Sequence, residues 1–119
     1  MIRPGVDTDR AVVNWPLTNE PFLVYERAGQ ILGYIVFHDV FDNEYELLFI
    51  EVIEAARRQG IARALISALP EGSIFLEVRE SNTGARELYK SAGFVETGRR
   101  KLYYQNPAED GIVMELKKW

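Results

Sequence analysis

Apolar and polar positions change period along this chain, and the changes mark its elements. Residues 1–20 carry no sustained period: they are polar, punctuated by Pro4, Gly5 and Pro16, with one mixed stretch from 7 to 15 that allows a turn or two of helix. From Phe22 the pattern sharpens. Phe22-Leu23-Val24-Tyr25 reads as a strand, Ala28-Gly29-Gln30 as a turn, and residues 31–40, rich in β-branched and aromatic side chains, as a longer strand that pairs with the first as a hairpin. Asp42-Asn43 is a second turn signal before a third strand over 45–52, which completes an antiparallel meander.

After Val52 the period becomes helical. Ile61, Leu65 and Leu69, with Ala62 and Ile66 beside them, share one helix face, and Pro70 and Gly72 end the element. Residues 74–78 form a compact strand. A strand, helix and strand of this length make a right-handed crossover, so 45–52 and 74–78 should lie parallel in one sheet. Ala85, Leu88, Tyr89 and Ala92 then recur at helical spacing behind Ser81 as the expected N-cap, and Gly93 sits where a left-handed C-terminal cap belongs. Residues 94–104 and 111–116 read as two closing strands joined by a loop that contains Pro107. The predicted class is α/β (α+β): a mixed, mostly antiparallel sheet with a parallel central strand pair and flanking helices, in one domain over residues 1–119.

Composition narrows the chemistry. Hydrophobic residues are 47% and charged residues 27% of 119, the balance of a chain that can bury one core. There is no cysteine, which removes disulfides, thiolate metal sites and a cysteine nucleophile, and points to a reducing cytoplasm. A single histidine, His38, cannot build a multi-histidine metal site, and it reads as a packed or partly exposed structural residue. No metal is expected. The net charge of -4 disfavours nucleic acid as a partner, and the longest nearly apolar run, 31–37, is far below the roughly 18 residues of a membrane helix. The first ten residues are charged and lack the apolar centre of a signal peptide.

Three constellations remain. Arg57-Arg58-Gln59-Gly60-Ile61-Ala62-Arg63 joins a strand to a helix start, where free backbone N–H groups, a glycine and three arginines together suit a pyrophosphate. Its plainer reading is an exposed basic first turn, although cations are what the helix dipole disfavours there. Glu77 interrupts an interior strand, either paired with Arg79 on the same face or open to a cleft as a general base. Ser81-Asn82 and Tyr89 read as caps and core filler, or as parts of a site. In the run Arg99-Arg100-Lys101-Leu102-Tyr103-Tyr104 the tyrosines either cover the sheet or, with Glu109-Asp110, line a peptide rim.

The succession of these motifs from about residue 22 to 116 resembles the GNAT superfamily of acyl-CoA N-acyltransferases, and within it the RimI group of ribosomal-protein N-terminal alanine acetyltransferases. The residues that carry the likeness are Arg57 to Ala62, Leu76-Glu77-Val78-Arg79, Ser81-Asn82, Leu88-Tyr89, Gly93-Phe94, Tyr103-Tyr104 and Glu109-Asp110. The resemblance implies an acetyltransferase that takes acetyl-CoA as cosubstrate and acts on a peptide or protein N-terminus, such as that of a ribosomal protein. It implies that Ile50, Glu51 and Val52 bind the pantetheine arm through their main chain, that Arg57, Arg58, Gln59, Gly60, Ile61, Ala62 and Arg63 hold the pyrophosphate, and that Asn82 contacts the cofactor. It places the general base on Glu77, the general acid on Tyr89, which also lies against the cofactor, and substrate contacts on Tyr103 and Tyr104. Glu51 stands where the family usually carries a small or apolar residue and offers a second base. Before Phe22 there are too few residues for the family's usual pair of helices, so a small-molecule or polyamine acceptor stays open, as does a non-catalytic acetyl-CoA-binding module, which would not need Glu77 and Tyr89.

Overall fold

The computed structural model describes residues 1–11 and 19–119. Its strands are β1 (Ile2–Pro4), β2 (Phe22–Arg27), β3 (Gln30–Phe41), β4 (Glu44–Val52), β5 (Gly72–Arg79), β6 (Val95–Tyr104) and β7 (Glu109–Lys118), with helix α1 (Ile61–Ser67) between β4 and β5 and helix α2 (Thr83–Ser91) between β5 and β6. They form one sheet in the order β1-β2-β3-β4-β5-β7-β6, and β4 with β5 is its parallel pair. The mixed sheet with a parallel central pair is therefore as the sequence pattern predicts. Both predicted hairpin turns form, each with two left-handed residues: Ala28 and Gly29 at φ 52° and 80°, Asp42 and Asn43 at φ 54° and 62°. That geometry matches the right-handed twist of the flanking strands.

Strand β1 was not expected from the pattern, because three residues carry no period. It is pinned to β2 by Arg3, whose guanidinium meets Asp9 at 2.8 and 3.0 Å and Glu26 at 3.1 Å. The same contact holds the buried Asp9 carboxyl below its usual value. The expected helical turn near the N-terminus is a short 3-10 helix, Asp7–Ala11, and the rest of that stretch lies outside the described residues.

Alternation divides the sheet into two faces. Ile35, Leu47, Ile74, Leu76, Ile112 and Met114 point to the helix side, where Ile61, Leu65 and Ile66 of α1 complete a core. Phe22, Val24, Tyr34 and Val36 make a second cluster on the opposite face. Glu77 lies on that second face, between Phe75 and Arg79.

The parallel pair is short. β4 and β5 are matched only from Glu44 with Ser73 to Glu46 with Phe75. Just beyond, β4 carries an extra residue: Phe37 pairs with Leu47 and Val36 with Phe49, which leaves Leu48 as a bulge. A bulge bends its strand and strengthens local twist, and here it turns β4 away from β5, which stays paired with β7 from Gly72 to Arg79. The result is a wedge between two strands of one sheet.

Helix α2 is closed at both ends. Its N-cap is Asn82, not the expected Ser81: the Asn82 side chain accepts from Ala85 N at 3.2 Å, satisfying a donor that the first turn cannot. At the other end Gly93, at φ 104°, supports two bonds, Gly93 N to Lys90 O and Phe94 N to Tyr89 O, both 3.0 Å. This is the Schellman arrangement, and its usual apolar contact is made by the Tyr89 and Phe94 rings, 5.7 Å apart. Replacing Gly93 by alanine puts a side chain in the left-handed region with its Cβ 3.1 Å from Leu116 Cδ1. Gly93→Ala should therefore lose about 1–2 kcal/mol of stability in urea unfolding; an unchanged midpoint would contradict this cap.

Candidate active site

A trench runs along the open side of β4. Its first part, about 220 Å³, lies between Val52, Arg57, Gly60, Ala62, Arg63 and Leu88. Its middle part, about 350 Å³, is bounded by Ile50, Glu51, Val52, Arg57, Ala62 and Leu88. The third part, also about 350 Å³, occupies the wedge itself, where Glu77 of β5, Asn82 and Tyr89 from α2 and its cap, and Tyr104 of β6 converge. Leu88 lines all three, so the predicted catalytic residues and the predicted cofactor residues other than Gln59 border one run of adjoining depressions, while Gln59 lies in a separate one beside the β2–β3 turn.

The basic end is built by local backbone geometry. Arg58 and Gly60 are both left-handed, at φ 65° and 79°, and a Cβ on Gly60 would meet nothing within 4 Å. The chain thus turns sharply into α1 while leaving its backbone open to a ligand. No acidic side chain occupies the first turn of α1 and no side chain caps it, so its leading N–H groups face outward beside Arg63. Arg57 is not a free cation: its Nε donates to Val52 O at 3.0 Å and ties the loop to the end of β4. Gln59 accepts from Arg27 at 3.1 Å, which anchors the loop to the β2–β3 turn. Arg58 and Arg63 are exposed. Two guanidiniums and a fan of N–H groups suit a pyrophosphate in position and charge.

Strand alternation defines what β4 offers. Ile53 N donates to Leu32 O of β3 at 2.9 Å, so the amide of Glu51 also faces β3, while Ile50 and Val52 turn theirs to the wedge. Beyond Glu46 these groups pair with no strand on that side among the described residues. An extended amide-bearing arm fits there as an added strand does.

At the catalytic end, Glu77 does not pair with Arg79. Its Oε1 accepts from Arg100 Nη1 at 2.7 Å, whereas Arg79 is taken up by Glu109 at 3.4 Å, by the carbonyls of Gln105 and Pro107, and by the Tyr104 ring. The two residues share a face, but Arg79 points toward the β6–β7 hairpin. Glu77 Oε2 is buried and has no partner among the described residues, which leaves one carboxylate oxygen able to accept a proton. Tyr89 is buried, and that burial, with Tyr104 nearby, holds its phenol above the ordinary value, so it is protonated and able to donate. Tyr104 is raised by its own burial and then by Glu77. Glu46, at the apex of the wedge, is raised first by burial and then by the Glu77 charge.

Tyr103 and Tyr104 stand edge to face, 5.0 Å apart, but only Tyr104 lines the wedge; Tyr103 is half exposed beside it. Both lean on Gly111, where a Cβ would lie 3.2 Å from Tyr103 and 3.4 Å from Tyr104. Glu109 and Asp110 are engaged by Arg79 and Arg99 across the hairpin, and both line a shallow depression beside it with Glu80 and Ser81. Asn82 spends its oxygen on the cap and keeps its amide protons for the cavity. Glu51 borders the middle of the trench on the Tyr34 side of the sheet. His38 is about half exposed and bonded to Glu20 at 2.8 Å, as suits a structural residue. Arg100 was missed by the sequence reading, since its partner is 23 residues away and only the strand register brings them together. Among the described residues no group of three or more metal-ligating side chains forms, and no helix is long and apolar enough to cross a membrane.

Residues 4–94 match the family model described as the acetyltransferase (GNAT) family. A [Ribosomal protein bS18]-alanine N-acetyltransferase of Haemophilus ducreyi is 34% identical over 104 residues, covering 79% of this chain and 71% of that protein. Several other curated relatives are longer, and the chain spans less than two thirds of them. The crystal structure of the ribosomal-protein-S18-alanine N-acetyltransferase from Escherichia coli matches with a TM-score of 0.80 and 26% identity, covering 99% of this chain and 93% of that one. A putative streptothricin acetyltransferase from Bacillus anthracis, solved in complex with acetyl coenzyme A, matches with a TM-score of 0.72 and 27% identity, covering 91% and 66%.

The electrostatics of the wedge make one measurable demand. In a difference titration of the parent protein against Tyr89→Phe, followed in the ultraviolet, the Tyr89 phenol should ionise later than a free tyrosine. Ionisation at or below the ordinary value would mean that Tyr89 is solvated and poorly placed as an acid.

Proposed function

The chain belongs to the GNAT acetyltransferase family, and from that premise we propose that it moves the acetyl group of acetyl-CoA onto the N-terminal α-amine of a protein, in the reducing cytoplasm and on a ribosomal protein such as bS18. The observation that carries this reading is the single trench that leads from the arginine loop past the open edge of β4 to Glu77 and Tyr89. The fit of acetyl-CoA is supported by that edge, by the open left-handed Gly60 and by the unpartnered oxygen of Glu77.

Acetyl-CoA supplies an activated thioester, and the chain supplies position and proton transfer. Arg58, Arg63 and the first N–H groups of α1 hold the pyrophosphate, while Gln59, Ile61 and Ala62 shape the loop around it. The amides of Ile50 and Val52 receive the pantetheine arm and deliver the thioester into the wedge. Asn82 steadies the cofactor from the α2 cap. Glu77 Oε2 accepts the proton of the incoming ammonium, directly or through one water, and the Tyr89 hydroxyl donates to the departing thiolate. Direct attack within a ternary complex needs no nucleophile on the protein. Tyr104 and its neighbour Tyr103 border the acceptor's entry.

The energetics favour an α-amine. Its pKa of about 7.7–8.0 lies well below the 10.4 or so of lysine, so a lysine acceptor costs roughly 3–4 kcal/mol more to deprotonate at neutral pH. A net charge of -4 also suits a basic protein tail.

Acetyl transfer should be assayed by mass spectrometry on a peptide with a free N-terminal alanine and on the same peptide blocked at its N-terminus but carrying lysine. Modification of the free-amine peptide alone is expected; modification of neither, with acetyl-CoA still bound, would move the acceptor to a small-molecule amine. In calorimetry Glu77→Gln and Tyr89→Phe should keep acetyl-CoA affinity, and each should lower turnover by about 10²-fold or more. Undiminished turnover in both would remove the assigned acid and base.

A further inference from the structure

We propose that Arg100 is a positioning residue that fixes the Glu77 carboxylate in its working orientation, an inference that rests on Glu77 serving as the base. Arg100 sits on the edge strand β6, with β7 between it and β5. It pairs with Gly111, and Gly111 pairs on its other side with Arg79. Reaching β5 means crossing two strand spacings, about 9–10 Å. The missing side chain at Gly111 makes room on that face for Tyr103 and Tyr104, and the long Arg100 side chain crosses over the Tyr103 ring.

The guanidinium is held on the way. It stacks over the Tyr103 ring at 4.4 Å from the centroid, and Tyr103 in turn rests on Gly111. At its end Nη1 donates to Glu77 Oε1 at 2.7 Å. A glutamate side chain alone can rotate about its terminal bond and exchange its two oxygens. With Oε1 pinned, the buried, unpartnered Oε2 is the oxygen committed to accept a proton. Tyr103, expected from the resemblance to touch the substrate, gains a second task as the shelf for Arg100.

Arg100 faces solvent over half its side chain and lies on an exposed strand, so its substitution spares the core. The test is steady-state kinetics of Arg100→Met, Arg100→Lys, Glu77→Gln and the double variant R100M/E77Q, with acetyl-CoA and the free-alanine peptide. Arg100→Met should lower kcat about 10- to 100-fold while the KM for acetyl-CoA stays within about twofold, as expected when a reacting group is misplaced by an ångström or less. Arg100→Lys, which keeps the charge but not the fork, should recover part of that loss. In the Glu77→Gln background, Arg100→Met should cost nothing further. Wild-type kcat in Arg100→Met beside a collapsed kcat in Glu77→Gln would overturn the role of Arg100 alone. Equal losses in the Met and Lys variants, or losses that multiply in the double variant, would also overturn it. Wild-type kcat in Glu77→Gln would instead overturn the base assignment, and this proposal with it.

Discussion

Backbone pairing between β4 and β5 stops after Glu46 and Phe75, and the site is arranged around that interruption. Interior parallel strands normally satisfy each other's N–H and C=O groups along their length. Here the bulge at Leu48 bends β4 while β7 keeps β5 straight, so the two strands diverge within one sheet. The divergence creates a slot and also an unpaired strand edge facing it. Such an edge is costly if left dry and is available for pairing with an extended ligand. Arg57 uses one of its acceptors, the Val52 carbonyl, and so fixes the basic loop at the mouth of the slot.

The remaining parts are held by interactions that cross elements. Tyr89 is aimed by the C-terminal cap of α2, because the turn at Gly93 brings Phe94 back against its ring. Asn82 is aimed by the N-cap of the same helix. One nine-residue helix, closed at both ends, therefore carries two groups of the site at fixed separation. Charge differs along the trench: Arg58 and Arg63 stand exposed at the loop, which suits an anionic cofactor, whereas the wedge holds Glu77 with Arg100 against it.

Much of this was legible in the sequence. Local turn chemistry announced both hairpins, since Gly29, Asp42 and Asn43 are residues that favour positive φ, although Ala28 takes it as well. Helical spacing announced α1 and α2, and the crossover rule made β4 and β5 parallel. The losses lie where register decides. Glu77 and Arg79 share a face two residues apart, which makes a pair between them one of the two sequence readings, but the hairpin carbonyls capture Arg79 and leave Glu77 to Arg100. Whether Ser81 or Asn82 caps α2 turned on one residue of phase that sequence spacing does not resolve. The bulge at Leu48 had no sequence signal, because Leu47, Leu48 and Phe49 are all apolar and fit either face.

Residue-resolved amide hydrogen exchange reads whether the open edge of β4 receives the cofactor. With acetyl-CoA at 100 times its dissociation constant, exchange at Ile50 and Val52 should slow by about 100-fold, because their amides face the wedge and exchange only when it is empty. Glu51 and Ile53, already turned toward β3, should change far less. Unchanged exchange at both Ile50 and Val52 under saturation would mean that the cofactor does not pair with this edge.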